Sequence, residues 1–174
     1  MSALRLIKQV EITSSVSSVD ITDVFSADFD IYKIVTSNIQ TAGASATSAV
    51  LRLINASGSV ISTSNYQYAG LSMTDGSAYV EEKSTSDTDV TEFFGVGYQS
   101  PQSSGSVSYC FNPYKSDSYT FFVNQSSSGS LRVKKQIACF TPLTSITGFQ
   151  VKADVSARPF DSGLIKVYGL RVDS

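Results

Sequence analysis

Acid–base chemistry narrows quickly in this sequence, because it contains no histidine. That removes Ser-His-Asp and Cys-His nucleophile arrangements, histidine-ligated zinc and the commonest general base. Carboxylates remain. A glycoside-cleaving pair needs one acid and one base or nucleophile flanking the bond, and the candidates are Glu11, Glu81, Glu82 and Glu92 with the aspartates. Adjacent Glu81 and Glu82 point to opposite faces of an extended chain, so they cannot be such a pair by themselves. Nothing else of an active site accompanies them, and the expectation is a non-enzymatic protein with no catalytic residue.

Metal and cofactor chemistry meets the same difficulty. Asp28-Phe29-Asp30, with Asp20 and Asp23 upstream, offers oxygen ligands. A calcium loop also wants a third ligand and a glycine for its sharp turn; without them the stretch reads as a solvated acidic loop, and neither metal nor cofactor is expected. Cys110 and Cys139 are too few for a disulfide framework and lack metal-ligand spacing, so both are expected as buried thiols. Asn55-Ala56-Ser57 and Asn124-Gln125-Ser126 match a glycosylation sequon, which carries meaning only in a secreted chain. Tyr66, Tyr68, Tyr98, Tyr109, Tyr114 and Tyr119 are many for a chain without tryptophan. Exposed, they would stack on sugar rings or fill a protein interface; the expectation is that most lie in the core with the hydroxyl at its rim.

The elements that position these residues are strands. Residues 146–155 alternate cleanly, with Phe149, Val151, Ala153 and Val155 against Gly148, Gln150, Lys152 and Asp154. Shorter runs of the same kind occur at 4–12, 19–21, 31–39, 49–54, 66–71, 78–80, 91–98, 106–111, 119–123 and 131–140. Within them, Tyr32, Ile34 and Thr36 share one face and Ile31, Lys33, Val35 and Ile39 the other, while Val107, Tyr109 and Phe111 are expected to point inward. Residues 82–89 and 124–130 read as loops. The last run, from Ser162-Gly163 onward, sends Leu164, Lys166, Tyr168, Leu170 and Val172 to one face and Ile165, Val167, Gly169 and Arg171 to the other. Both faces are largely apolar, which suits a strand paired on both sides or covered by a neighbouring subunit. Gly169 inside it signals a bulge or a close backbone approach. No segment carries an apolar face at helical spacing. The reading is a single all-β domain over residues 1–174, an antiparallel β-sandwich of jelly-roll type, with an up-and-down barrel as the competitor.

Charge and composition bound the partners. The chain has 174 residues, 32 of them serine, and a formal net charge of −2. Residues 1–129 hold six Lys or Arg against twelve Asp or Glu, and residues 130–174 hold seven against three. A basic patch from the C-terminal strands could therefore meet an acidic surface on another subunit. Lys134-Lys135 is the one adjacent basic pair, so nucleic acid is not an expected partner. The first eight residues break their apolar positions with charge and do not read as a signal peptide, and no run approaches the ~20 apolar residues of a membrane span. Synthesis in a cytoplasm is expected.

Three stretches add a resemblance. Asp30-Ile31-Tyr32-Lys33-Ile34-Val35 follows an acidic-aromatic segment, Tyr66-Gln67-Tyr68-Ala69 follows a hairpin, and Gly163-Leu164-Ile165-Lys166-Val167-Tyr168-Gly169-Leu170 closes the chain. Together they resemble small virion structural proteins of tailed bacteriophages, especially those of marine cyanobacterial phages. Here Ser162-Gly163 reverses that pattern's Gly-Ser order, and Val167 and Leu170 stand for its Leu and Ile. The resemblance implies a β-sandwich present in many copies on the particle, as a capsid decoration protein, a tail or nozzle component or a fibre-tip domain, and carries over no catalytic residue. The coiled coil or repeats that usually precede such a domain in fibres do not appear, which points to a stand-alone decoration or tail-associated subunit. The expected partners are other virion proteins and further copies of the chain. Subunit contacts are expected at Lys166, Tyr168 and Arg171. The alternatives are a receptor- or glycan-binding module at the virion surface and a hydrolase with paired carboxylates.

Overall fold

The computed structural model describes residues 4–41, 48–74, 79–98, 102, 104–129 and 132–170. Its regular structure is entirely strand: β1 (Leu4–Ile12), β2 (Ser18–Ile21), β3 (Ile31–Thr41), β4 (Ala49–Asn55), β5 (Tyr66–Thr74), β6 (Val80–Asp87), β7 (Val90–Phe94), β8 (Gly105–Phe111), β9 (Thr120–Ser128), β10 (Arg132–Phe140), β11 (Ile146–Ala153) and β12 (Phe160–Leu170). They form an eight-stranded sheet, in the order β1-β12-β3-β8-β9-β10-β5-β6, and a four-stranded sheet, in the order β2-β11-β4-β7. All the strand pairings within the two sheets are antiparallel. The chain passes repeatedly between the two sheets, so the molecule is a single-domain sandwich and not an up-and-down barrel. No helix among the described residues is long and apolar enough to cross a membrane.

The core lies where the alternating apolar sets of the two sheets meet. Leu51, Leu53, Phe149 and Val151 of the smaller sheet face Tyr32, Ile34, Phe122 and Phe140 of the larger, all essentially inaccessible to water. Phe149 stacks between Phe25 (5.9 Å between ring centres) and Phe94 (6.3 Å). Residues 24–29 tuck both Phe25 and Phe29 under the sheet, with Phe25 meeting Tyr32 edge to face at 4.7 Å. The Tyr32 hydroxyl donates to the Ser26 carbonyl (2.9 Å) and accepts from the Ser26 N–H (2.8 Å), satisfying the polar end of a buried ring. Tyr66 does the same from β5, donating to the Ile61 carbonyl (2.9 Å) and accepting from the Leu53 N–H (2.8 Å). Burial pushes its phenol well above the ordinary range.

Three sequence expectations are corrected. Residues 82–89 are not a loop, since β6 runs through most of them as the edge strand of the large sheet. Charged residues are how an edge strand discourages pairing with other chains, which is why this strand carried no apolar period. Residues 124–128 continue β9, with Asn124 and Ser126 buried. In β3, Asn38 adopts a left-handed backbone (φ 53°), which reverses the alternation and turns Ile39 into the core, away from the face of Ile31, Lys33 and Val35.

β12 is paired on both sides, to β1 and to β3. Ile165 and Val167 are buried between the sheets, while Leu164, Lys166, Tyr168 and Leu170 are half-buried on the outer face. Gly163 sits at a register shift with φ 155°, and a Cβ there would come within 2.9 Å of the Ile39 side chain. Gly169 is the close approach that its place in the run implies: the Phe29 ring covers it, and a Cβ would fall 2.6 Å from the ring carbons. Gly169→Ala must push Phe29 off both this strand and Tyr32. Overpacking of this kind costs about 1–3 kcal/mol, so thermal unfolding should shift down by several degrees, and the second change Phe29→Leu should recover part of the loss.

Candidate functional site

The large sheet is apolar on the wrong side over part of its width. In β8, β9 and β10 the inward residues include Ser106, Ser108, Asn124, Ser126, Lys134 and Gln136 beside the core residues Cys110, Phe122, Ala138 and Phe140, and the outward ones include Val107, Tyr109, Phe121, Val123, Val133 and Ile137. Val107, Tyr109 and Phe111 therefore face outward, opposite to the sequence expectation. The reason lies in the partners of the inward groups. β7 is an edge strand of the small sheet, so some of its carbonyls lack a neighbouring strand. Asn124 Nδ2 donates to the Phe93 carbonyl (2.6 Å) and Gln136 Nε2 to the Thr91 carbonyl (3.0 Å). Asn124 Oδ1 in turn accepts from Ser108 Oγ (2.7 Å), and Thr36 and Ser106 share a hydrogen bond of 2.6 Å. A buried polar layer with these bonds made is tolerated, where an unpaired one would not be.

The same layer ends in an ion cluster. Arg132 meets Glu82 (2.7 Å), Glu92 and Ser72 Oγ (2.8 Å), while Lys134 contacts Glu82 and lies 3.4 Å from Glu92. Lys134 is the deepest member, its side chain only 4% exposed. Glu92 reaches the cations from a left-handed backbone position, φ 51°. Burial pulls its carboxyl upward, but hydrogen bonds from Arg132 and with Glu82, and the charges of Lys134 and Arg132, outweigh that and hold it below its ordinary value. The two carboxylates brought together here are thus clamped by two cations. A glycosidase acid needs the opposite, a raised value that keeps its proton.

The other sequence candidates are scattered. Asp20 accepts from Gln150 Nε2 (2.7 Å), Asp28 accepts from Ser26 Oγ (3.2 Å), and Asp30 pairs with Lys115 (3.1 Å). No three His, Cys, Asp or Glu side chains converge on a metal position among the described residues. Arg132 and Lys134 face inward, so two of the seven basic residues behind the expected basic patch are taken up inside the sandwich. Lys166 and Tyr168 lie on the outer face of β12, and Arg171 lies outside the described residues. Cys110 is buried, whereas Cys139 is only half-buried on the outer face. Of the tyrosines, Tyr66 is buried, Tyr68, Tyr98 and Tyr109 are half-buried, and Tyr114 and Tyr119 are exposed.

What remains open is the outer face of β5, β10, β9 and β8. Cross-strand register aligns Ala69, Ile137, Val123 and Tyr109 in one row and Leu71, Lys135, Gln125 and Val107 in the next. Ile137 is 60% exposed, Val123 47% and Phe121 46%. With a full large side chain offering about 150–250 Å², these three with Val133, Val107 and Leu71 leave on the order of 500 Å² open. That is the upper end of the ~300–600 Å² that the largest apolar patch on a monomer reaches. Two adjoining open grooves cross this face, of about 660 and 490 Å³; both are lined by Ala69, Lys83, Val123 and Ile137, and the smaller also by Phe121 and Cys139.

Fold and site together define an antiparallel β-sandwich with a broad apolar sheet face left uncovered. No protein-family model matches the chain, and no curated protein matches it. Among solved structures it is similar to a fructofuranosidase variant from Schwanniomyces occidentalis in complex with fructosylnystose, at 9% identity and a TM-score of 0.21; the match covers 95% of this chain and 34% of that one. It is also similar to the alginate lyase Aly36B, at 7% identity and a TM-score of 0.35, over 95% of this chain and 82% of that one. A third is the CBM2 module of the evolved Dit of Lactobacillus casei BL23 phage J-1, at 11% identity and a TM-score of 0.28, over 94% and 76% of the two chains. The chain spans about a third of the fructofuranosidase's length. At these scores the likenesses carry no argument about activity.

Proposed function

We propose that this protein is a non-enzymatic structural subunit of a phage particle, present in many copies and held there through the outer face of β5, β10, β9 and β8. The observation that supports this reading most is that face itself: large aliphatic side chains stand outward over an interior that accepts polar ones. A sheet whose outer side met only water would carry the reverse pattern. Ile137, Val123, Val133 and Leu71 are aliphatic, which suits packing against protein better than stacking on sugar rings. The closing motif of the sequence supports the phage assignment.

The test is incorporation. Mass spectrometry of purified particles should find the chain at a constant multi-copy ratio. Ile137→Glu places a charge on an exposed position and should leave the fold intact while reducing incorporation by tenfold or more. Normal incorporation of a folded Ile137→Glu protein would refute the reading. A second reading, glycan binding at the virion surface, draws on Tyr119 and Phe121, both exposed with ring centres 6.3 Å apart at one end of the same face. Under it, Tyr119→Ala would abolish retention of the isolated protein on host polysaccharide; the assembly reading expects no such retention.

A further inference from the structure

We infer that a second copy of the same chain covers the part of this face on β10 and β5, together with the adjoining β6, packed face to face about a two-fold axis that runs along β5. The inference rests on the assembly role proposed above and names the partner for it. The charge pattern around Leu71 selects this axis. In the row through Leu71, Lys135 of β10 lies on one side and Glu81 of β6 on the other, each one strand spacing away, about 4.8 Å. All three are exposed, and neither charge takes part in an ion pair within the described chain.

A two-fold axis parallel to a strand maps each residue onto the partner's residue equally far on the other side of that axis. Along β5 it sets Leu71 against the second Leu71 and Lys135 against the second copy's Glu81, twice by symmetry. In the row through Ala69 it lays the Lys83 stem over the second copy's Ile137. An axis along β10 would instead oppose Lys135 to itself, which two like charges disfavour.

The experiment is sedimentation of the full chain with single and double charge reversals. The wild type should dimerise at micromolar concentration. Glu81→Lys and Lys135→Glu, each setting like charges opposite one another, should weaken the dimer about tenfold or more. The double variant restores opposite charges across the axis and should recover most of the affinity. A wild type that stays monomeric at high concentration, or a double variant no tighter than the singles, would overturn the inference. If the wild type is monomeric while Ile137→Glu still fails to enter particles, the assembly role stands and the partner is another virion protein. If the wild type dimerises but Ile137→Glu enters particles normally, the assembly role falls and the dimer stands.

Discussion

Lys134→Met should destabilise the protein by about 2–4 kcal/mol at neutral pH, although the two side chains are similar in length. The cost is not lost packing. Lys134 lies between two carboxylates, and without it Glu82 and Glu92 face each other across a single remaining cation, Arg132. Breaking a fully buried pair costs about 3–5 kcal/mol. Here the carboxylate side chains keep about a quarter of their surface, 26% and 23%, in contact with water, so the lower figure applies. The loss should also depend on pH. Glu92 is held below its ordinary value, so its contribution is fully present above the unfolded carboxyl value near 4.5 and disappears as pH falls through the lower folded value. Wild-type stability should therefore fall on acidification across that window, and the penalty of Lys134→Met should shrink with it. Chemical denaturation at pH 7 and at about pH 3 measures both.

Phe149→Ala is the second large effect, at about 3–5 kcal/mol. Phe149 is fully buried in the strand that joins β2 to β4 and stacks on Phe25 and on Phe94. Deleting the ring leaves a cavity walled by two other rings, which cannot close without moving the segment under β3 or the edge strand β7. Phe149→Leu, which keeps most of the volume, should cost less than half as much. The separation between the two variants in a denaturant midpoint isolates the cavity contribution from the loss of ring stacking.

How far the structure was legible in the sequence depends on what alternation can say. It reports a strand and which residues share a face. Of the run read at 146–155, residues 146–153 form the strand while Val155 lies past its end and is exposed; this part and the final run as far as Leu170 read correctly for that reason, and Gly169 announced its close neighbour because no side chain fits under Phe29. Alternation does not say which face points in. Val107, Tyr109 and Phe111 read as core because apolar residues usually are, and in β8–β10 that rule fails. The missed signal was collective: Ser106, Ser108, Asn124, Ser126, Lys134 and Gln136 occupy matching positions on three successive strands, so they form a continuous polar layer. Such a layer is stable indoors only with partners, and Glu82 and Glu92 were present in the sequence to supply them. Without the register, however, nothing tied residue 82 to residue 134. The left-handed positions at Asn38 and Glu92 were equally silent, since a single reversed residue leaves no period behind.

The reversal also reinterprets the charge asymmetry. Seven basic residues near the C-terminal end suggested a surface patch, yet Arg132 and Lys134 neutralise two partly buried carboxylates. What reaches the outer face is Lys135 and Lys166 around an apolar centre, a mixture suited to a protein neighbour.

The central claim, that this outer face is covered in the particle, has a native reporter in Cys139. Its thiol stands half-buried beside Phe121 on that face, while Cys110 is fully enclosed in the core and serves as the internal control. Burial raises both thiols above their ordinary value, so labelling should be run at mildly alkaline pH. Maleimide labelling of dilute isolated protein should modify Cys139 and spare Cys110, and in intact particles Cys139 should be protected at least tenfold. Equal labelling of Cys139 in the free protein and in the particle would contradict the account.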